Sequence, residues 1–366
     1  MRLAWLAALL IASMCSCSSS PTTSKEVPQL AVRWIQATSW AFPCTPVVRD
    51  STFLCNATHS SLDEFRISDG TTLRSITLPQ ALLTGAPAPD GDVIFLGLAN
   101  SAVGSRDGAA LAPRWTTYLY PPDSLNGDEH IEYDTNSPAV DAARIYVAST
   151  QGVVDALDRS TGARVWRHVV SGVASSAPIV ANGLVYVAGF DRHLTALEPT
   201  TGAVRWQTAL GEDIQHTRPI FFNQSIYIAG MAGFVHRIDA ETGAVIWQRK
   251  VAADIRDGIS VTDEALVAAD DSGIFAVNPR NGRALWQKPE PALNPVQDGG
   301  LVYIHSRAGR FLVLEPSTGR LVASADLPPP SFVGSPVILQ DRILVPCRGA
   351  IACIDKPAVQ NKVLFR

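Results

Sequence analysis

Six cysteines, seven histidines and one acidic, tyrosine-bearing segment are the parts of this 366-residue chain whose residue types could do chemistry. Four of the cysteines, Cys44, Cys55, Cys347 and Cys353, lie in the body of the chain. An even set behind an export leader points to disulfides rather than to a metal. The histidines (His59, His130, His168, His193, His216, His236 and His305) are scattered, and no two have the spacing that places ligands on one face. His193 and His236 fall near equivalent positions of a repeat, which accounts for them without coordination. There is no Gly-Lys-Ser/Thr phosphate loop, no Gly-x-Ser-x-Gly elbow and no Cys/His nucleophile constellation, so no catalytic residue, metal or cofactor is expected. The acidic segment lies between Trp115 and Pro138; it contains Tyr118, Tyr120, Pro121 and Pro122, then Asp128-Glu129-His130-Ile131-Glu132-Tyr133-Asp134. Carboxylates interleaved with tyrosines suit a basic patch on a partner or a calcium ion, and a solvated excursion is the third reading. Asp123-x-x-Asn126-Gly127-Asp128 does not have EF-hand spacing.

Residues 1–16 read as a lipoprotein leader. Met1-Arg2 precedes an apolar run from Leu3 to Met14 that is too short to span a bilayer. Cys15-Ser16-Cys17 resembles a lipobox, with Cys17 as the acylated residue because Ser16 meets the small-residue requirement; Cys15 is the alternative. Ser18 rather than an aspartate suits cargo sorted to the outer membrane. Residues 17–29, rich in Ser and Pro without apolar periodicity, are expected to be a flexible tether holding the body about 20 Å from the membrane. The formal charge is −4, about −5 once Arg2 leaves with the leader, which argues against a generally basic nucleic-acid surface. Residues 30–366 hold no second long apolar run, so the body is expected to be soluble and attached through lipid.

The chemistry-bearing groups must be positioned by a repeat. Asp155-Ala-Leu-Asp158 followed by Thr161-Gly162-Ala-Arg-Val-Trp166 returns 40 residues later as Thr195-Ala-Leu-Glu198 followed by Thr201-Gly202-Ala-Val-Arg-Trp206. A proline, Pro138 or Pro178, stands 28 residues before each tryptophan. Tracked by that marker, units begin at Pro46, Pro87, Pro138, Pro178, Pro219, Gly258, Pro295 and Pro336. Each holds four short runs rich in Val, Ile and Tyr, broken by Asn, Asp and Gly, which are strands. Four strands per unit, eight times over, predict an all-β, eight-bladed propeller of four-stranded antiparallel blades forming a single domain over 30–366.

Within the repeat, each marked residue has a structural task. Asp158, Glu198, Asp239, Asn278 and Glu315 end third strands, where a side-chain oxygen can bond the amides of the next turn. Gly162, Gly202, Gly243, Gly282 and Gly319 sit where that turn needs positive φ. Trp34, Trp115, Trp166, Trp206, Trp247 and Trp286 lie on fourth strands, each expected to bury on the order of 200 Å² between blades. Arg74 and Ala323 take the tryptophan register in blades one and seven, and the turn glycine of blade two, Gly108, is displaced. Ala31-Val-Arg-Trp34 matches Ala203-Val-Arg-Trp206, so the N-terminus is expected to supply the outer strand of blade eight and close the ring. Val363-Leu364-Phe365 falls in the same register and would lie beside it or be loose. Cys44 and Cys55 flank the turn at Arg49-Asp50, and Cys347 and Cys353 the turn at Gly349-Ala350. Local cross-strand pairs are the favoured connectivity; a bridge between blades eight and one, or free thiols, are the others. Gln215, His216, Arg218, Arg256 and Asp257 precede the first strands of blades five and six. First strands line a propeller channel, so these groups are expected to ring one mouth, either hydrated or holding a peptide or small molecule.

The phrase Ala-Leu-Asp/Glu-x-x-Thr-Gly-x-x-x-Trp resembles the repeat of the PQQ-like propeller family over nearly all the mature chain. Among its members, an eight-bladed exported lipoprotein with a short tether and nothing appended resembles the outer-membrane assembly factors. That resemblance implies a non-catalytic scaffold, lipid-anchored on the periplasmic face of the outer membrane. Its partner would be a periplasmic or outer-membrane protein such as the β-barrel assembly machine. The alternative is another exported member that binds a polysaccharide, peptide or envelope protein. Quinone-dependent dehydrogenases of the family hold their cofactor beside adjacent cysteines and a calcium ion. The body of this chain has no adjacent cysteines and lacks the long insertions of such a site, so no enzyme is expected.

Overall fold

The structure, a computed structural model, describes residues 27–39, 44–56, 58, 60–78, 86–98, 102–120, 137–172, 176–215, 217–255, 258–331 and 334–358. Its strands form eight four-stranded antiparallel sheets, the eight units read from the proline markers, and the described residues contain no helix. Blade four is representative, with strands Ile179–Ala181, Leu184–Ala188, His193–Leu197 and Val204–Ala209 from the axis outward. Its second strand is buried along its whole length, because both faces of each sheet are covered by neighbouring blades. Its outer strand alternates between exposed and half-buried positions, as an edge should when one side meets water. Inner strands of adjoining blades touch around the axis.

The core is therefore divided into eight layers, one at each interface between blades. Between blades four and five, for instance, Ile179, Tyr186 and Leu194 pack on Ile226, Ile228 and Ile238. Every blade also slips register by one residue in its outer strand, immediately before the tryptophan position. Such a bulge increases local twist and turns the following side chain.

That side chain joins one blade to the next. Trp166 Nε1 donates to the Pro199 carbonyl at 2.8 Å, and Trp206 to Ala240, Trp247 to Pro279, Trp286 to Pro316, Trp115 to Arg159 and Trp34 to Ile67 do the same. In each case the acceptor lies at the end of the next blade's third strand. The ring lies on the turn glycine of that blade: a Cβ on Gly202 would come within 2.6 Å of Trp166 Cε3, and its φ is +71°. The turn amides are held as expected, with those of Ser160 and Thr161 donating to Asp158 Oδ1. Of the six rings Trp166, at 9 % exposure, is buried and the other five are half-buried.

Where the tryptophan is missing, the glycine is missing as well. Arg74 pairs with Glu64 across the sheet of blade one instead of reaching the next blade. In the turn of blade two, Leu111 then occupies the glycine's place, donating to the Asp107 carbonyl as Gly162 does to that of Asp158. Leu111 has φ +57° and is buried in the layer between blades one and two. Gly108 meets the Asp92 backbone and no tryptophan.

The ring closes as expected: Val32–Ala37 pairs with Ala350–Asp355 as the outer strand of blade eight. Among the described residues of the N-terminal segment, Leu30 N donates to the Ser324 carbonyl at 2.7 Å and Ser324 N to that of Pro28 at 3.1 Å, on the outer strand of blade seven (Leu321–Asp326). Residues 363–365, and the leader with Cys17, lie outside the described residues.

Candidate partner-binding surfaces

The long segment after blade two starts from a fixed foot. The outer strand Pro113–Tyr118 ends on Tyr118, 51 % exposed; Leu119 is buried between blades two and three, and Tyr120 lies under the Arg167 guanidinium, 4.7 Å from its ring centre. Arg167, on the outer strand of blade three, donates Nη2 to the Leu119 carbonyl at 2.7 Å. It is itself held by the fully buried Asp155, Nε to Oδ1 at 2.9 Å and Nη2 to Oδ2 at 2.7 Å. The hydrogen bonds that Arg167 donates to Asp155 raise the guanidinium pKa, and burial raises that of the Tyr120 phenol. Sequence reasoning singled out Tyr118 and Tyr120 but missed Asp155 and Arg167. A signal existed: in the aligned repeat they replace Thr195 and Gln207, which are cross-strand neighbours in blade four. Asp128, Glu129, Glu132, Tyr133 and Asp134 lie outside the described residues.

At the candidate channel mouth, Gln215 and Arg218 are described, whereas His216, Arg256 and Asp257 are not. The intervening Thr217 is buried, its Oγ1 donating to the Ala229 carbonyl and its own carbonyl accepting from Ser176 Oγ. The segment is thus anchored while Arg218 stays exposed. No carboxylate among the described residues pairs with Arg218, and desolvation by surrounding protein lowers its pKa. Nearby, Glu212 accepts from the Ala232 amide and meets the His236 ring at 2.7 Å, both side chains buried. Gly230 makes room for that carboxylate, since a Cβ there would lie 2.4 Å from Glu212 Cδ.

His193 and His236 are not equivalent, which corrects the sequence reading. His193 stands three residues before the cross-strand partner of Trp206, and His236 directly before that of Trp247. The first touches the Asp191 carbonyl, the second a buried glutamate. Among the described residues no three potential ligands converge.

All four body cysteines stand as thiols. Cys44 and Cys55 are brought together, Sγ to Sγ at 3.3 Å. The favoured pairing of Cys347 with Cys353 is excluded by sheet geometry. Cys347 faces Ala350 and Cys353 faces Leu344 across the same antiparallel pair, so the two side chains leave opposite faces. Cys347 packs in the layer with blade seven, and Cys353 in the layer with blade one.

Eight four-stranded blades, each tryptophan seated on the next blade's glycine, define a PQQ-like propeller. The chain belongs to the family whose model is described as outer membrane protein assembly factor BamB, matched over residues 112–216 and 191–355. A curated BamB from Yersinia pestis is 27 % identical over 120 residues, 33 % of this chain and 30 % of that protein, so the matched stretch spans under a third of that relative. Among solved structures, BamB from Moraxella catarrhalis superposes with a TM-score of 0.72 at 17 % identity, covering 89 % of this chain and 100 % of that one. Quinohemoprotein alcohol dehydrogenase from Comamonas testosteroni gives 0.72 at 13 % identity, over 89 % of this chain and 76 % of that one. At these identities the structural likeness is one of fold.

Proposed function

We propose that this chain is an exported scaffold, acylated at Cys17 and held on the periplasmic face of the outer membrane, that binds protein partners in a BamB-like role in β-barrel assembly. The observation that carries this reading is how the repeat spends its residues. Its Asp, Gly and Trp are taken up in turns and blade contacts, which leaves no repeated polar group for a bound cofactor, in a chain whose family model is that of BamB. The groups that stand apart from the repeat are the foot and acidic segment after Tyr118 and the exposed Arg218 with Gln215. Segments of this kind on a rigid ring are where binding specificity is placed. Tagged full-length protein, purified from detergent-solubilised membranes of its own host, is expected to bring down the barrel-assembly machine; an eluate free of it overturns the role. The dehydrogenase-like fold supplies the competing class. Sustained dye reduction of alcohols or sugars after addition of pyrroloquinoline quinone and calcium would replace the scaffold reading with an enzyme.

A further inference from the structure

We infer that Cys44 and Cys55 are a disulfide-forming pair that locks the N-terminal strap onto blade one, and that Cys347 and Cys353 take no part. The strap is the chain's own closure. It bonds to blade seven at Pro28 and Leu30 and forms the outer strand of blade eight. Cys44 stands just before the inner strand of blade one, Val47–Arg49, and Cys55 ends the second strand of that blade. The two sulfurs are in contact at 3.3 Å, and both are buried. Asn56 holds the geometry independently of the sulfurs, its Oδ1 accepting from the Cys44 amide at 2.7 Å, and Cys55 Sγ donates to the Cys44 carbonyl at 3.0 Å. A third thiol, Cys353, belongs to the same apolar layer, opposite Trp34 on the strap. Proximity within a layer therefore does not select the pair; direct sulfur contact does.

In the closed ring burial raises the Cys55 thiol's pKa, while the side-chain hydrogen bond with Cys55 lowers that of Cys44. The oxidant is a disulfide, either of a thiol–disulfide oxidoreductase or of glutathione. One of the two thiolates attacks one of its sulfurs, forming a mixed disulfide and releasing the first oxidant thiol. The other thiolate then attacks the protein sulfur of that mixed disulfide and releases the second. Two electrons and two protons pass to the oxidant, and the protein gains one S–S bond. Since neither sulfur is open to solvent in the closed ring, the exchange belongs to folding, before the strap seats.

The test uses the full chain recovered from the cell envelope, quenched in acid, blocked with N-ethylmaleimide and digested without reduction. A peptide linking Cys44 to Cys55 is expected, with Cys347 and Cys353 carrying the blocking group. Maleimide on both Cys44 and Cys55, or a link from either to Cys353 or Cys347, overturns the inference. A second readout guards against a variant that folds poorly. Dithiothreitol is expected to lower the melting temperature of the wild type and to leave that of C44S/C55S unmoved; an equal shift in both overturns it too. Neither arm depends on the scaffold reading.

Discussion

Blades three to six and the seam running from blade seven through eight and one to two are cut from one repeat but joined in two ways. In the regular half, a tryptophan reaches across each interface to a carbonyl and a glycine of the next blade. At the seam, the short Ala323 packs in the apolar layer between blades seven and eight in place of a tryptophan, Arg74 turns inward to Glu64, and a strap from the N-terminus supplies the missing strand. The comparison separates two properties of a residue that its letter alone confuses. A turn glycine can be required by backbone conformation or by the ring above it, and Leu111, at φ +57° with no ring overhead, shows that the ring is the stronger demand.

The sharpest way to break the comparison uses two glycines of the same blade. Gly202 and Gly183 have φ of +71° and +74°, but only Gly202 lies under a tryptophan; a Cβ on Gly183 meets nothing within 4 Å. Gly202→Ala is expected to cost about 3 kcal/mol, left-handed strain plus overpacking, and Gly183→Ala about 1 kcal/mol from strain alone. Urea melts of the two variants measure the difference, and equal losses would show that the rings do not set the requirement.

An effect of similar limiting size lies in blade seven and depends on pH. His305 is 2 % exposed, and burial lowers its pKa to about 4, against a minor opposing contribution from the Pro328 backbone. The folded state thus favours the neutral ring. Its contribution is complete above about pH 6.5 and is lost as pH falls towards 4, by up to about 3 kcal/mol, because the unfolded chain takes up the proton first. Denaturation midpoints between pH 7 and 4 should fall less steeply in His305→Leu than in the wild type, and parallel curves would remove His305 from the acid response.

The smallest effect sets the two halves side by side at one hydroxyl. Tyr186 donates to the Ala240 carbonyl of the next blade at 2.9 Å, whereas Tyr303 at the corresponding place before the seam has no hydrogen-bond partner among the described residues. Tyr186→Phe should cost about 1 kcal/mol and Tyr303→Phe about nothing. A loss at Tyr303 matching that at Tyr186 would contradict the division.

Most of the fold was legible because it is periodic. The 28-residue step from proline to tryptophan marked blades two to five and its stand-ins the others, and the match of Trp34 to Trp206 placed the closing strand. Local chemistry was legible where one residue acts on its own turn, as Asp158 does. What depends on sheet parity was not. Cys347 and Cys353 are close in sequence and flank a turn, yet a six-residue offset around a two-residue turn sends them to opposite faces. The histidines were misplaced for a different reason: a shift of two residues keeps the strand face but moves the ring along the strand, so that His193 meets the Asp191 carbonyl and His236 the buried Glu212. The foot of the acidic segment was half legible. Its tyrosines stand out, but the Asp155–Arg167 clamp beneath them shows only when the repeats are aligned strand against strand.

The central claim is that the ring is structural where the phrase repeats and engages its partner where the phrase breaks. A photo-crosslinking amino acid can be placed, one site at a time, at Tyr118 and Gln215 in the break regions and at Val204 and Ile246 on exposed outer strands of regular blades. After irradiation of intact cells, the account predicts partner adducts from Tyr118 or Gln215 and none from Val204 or Ile246. Adducts confined to Val204 and Ile246 would contradict it.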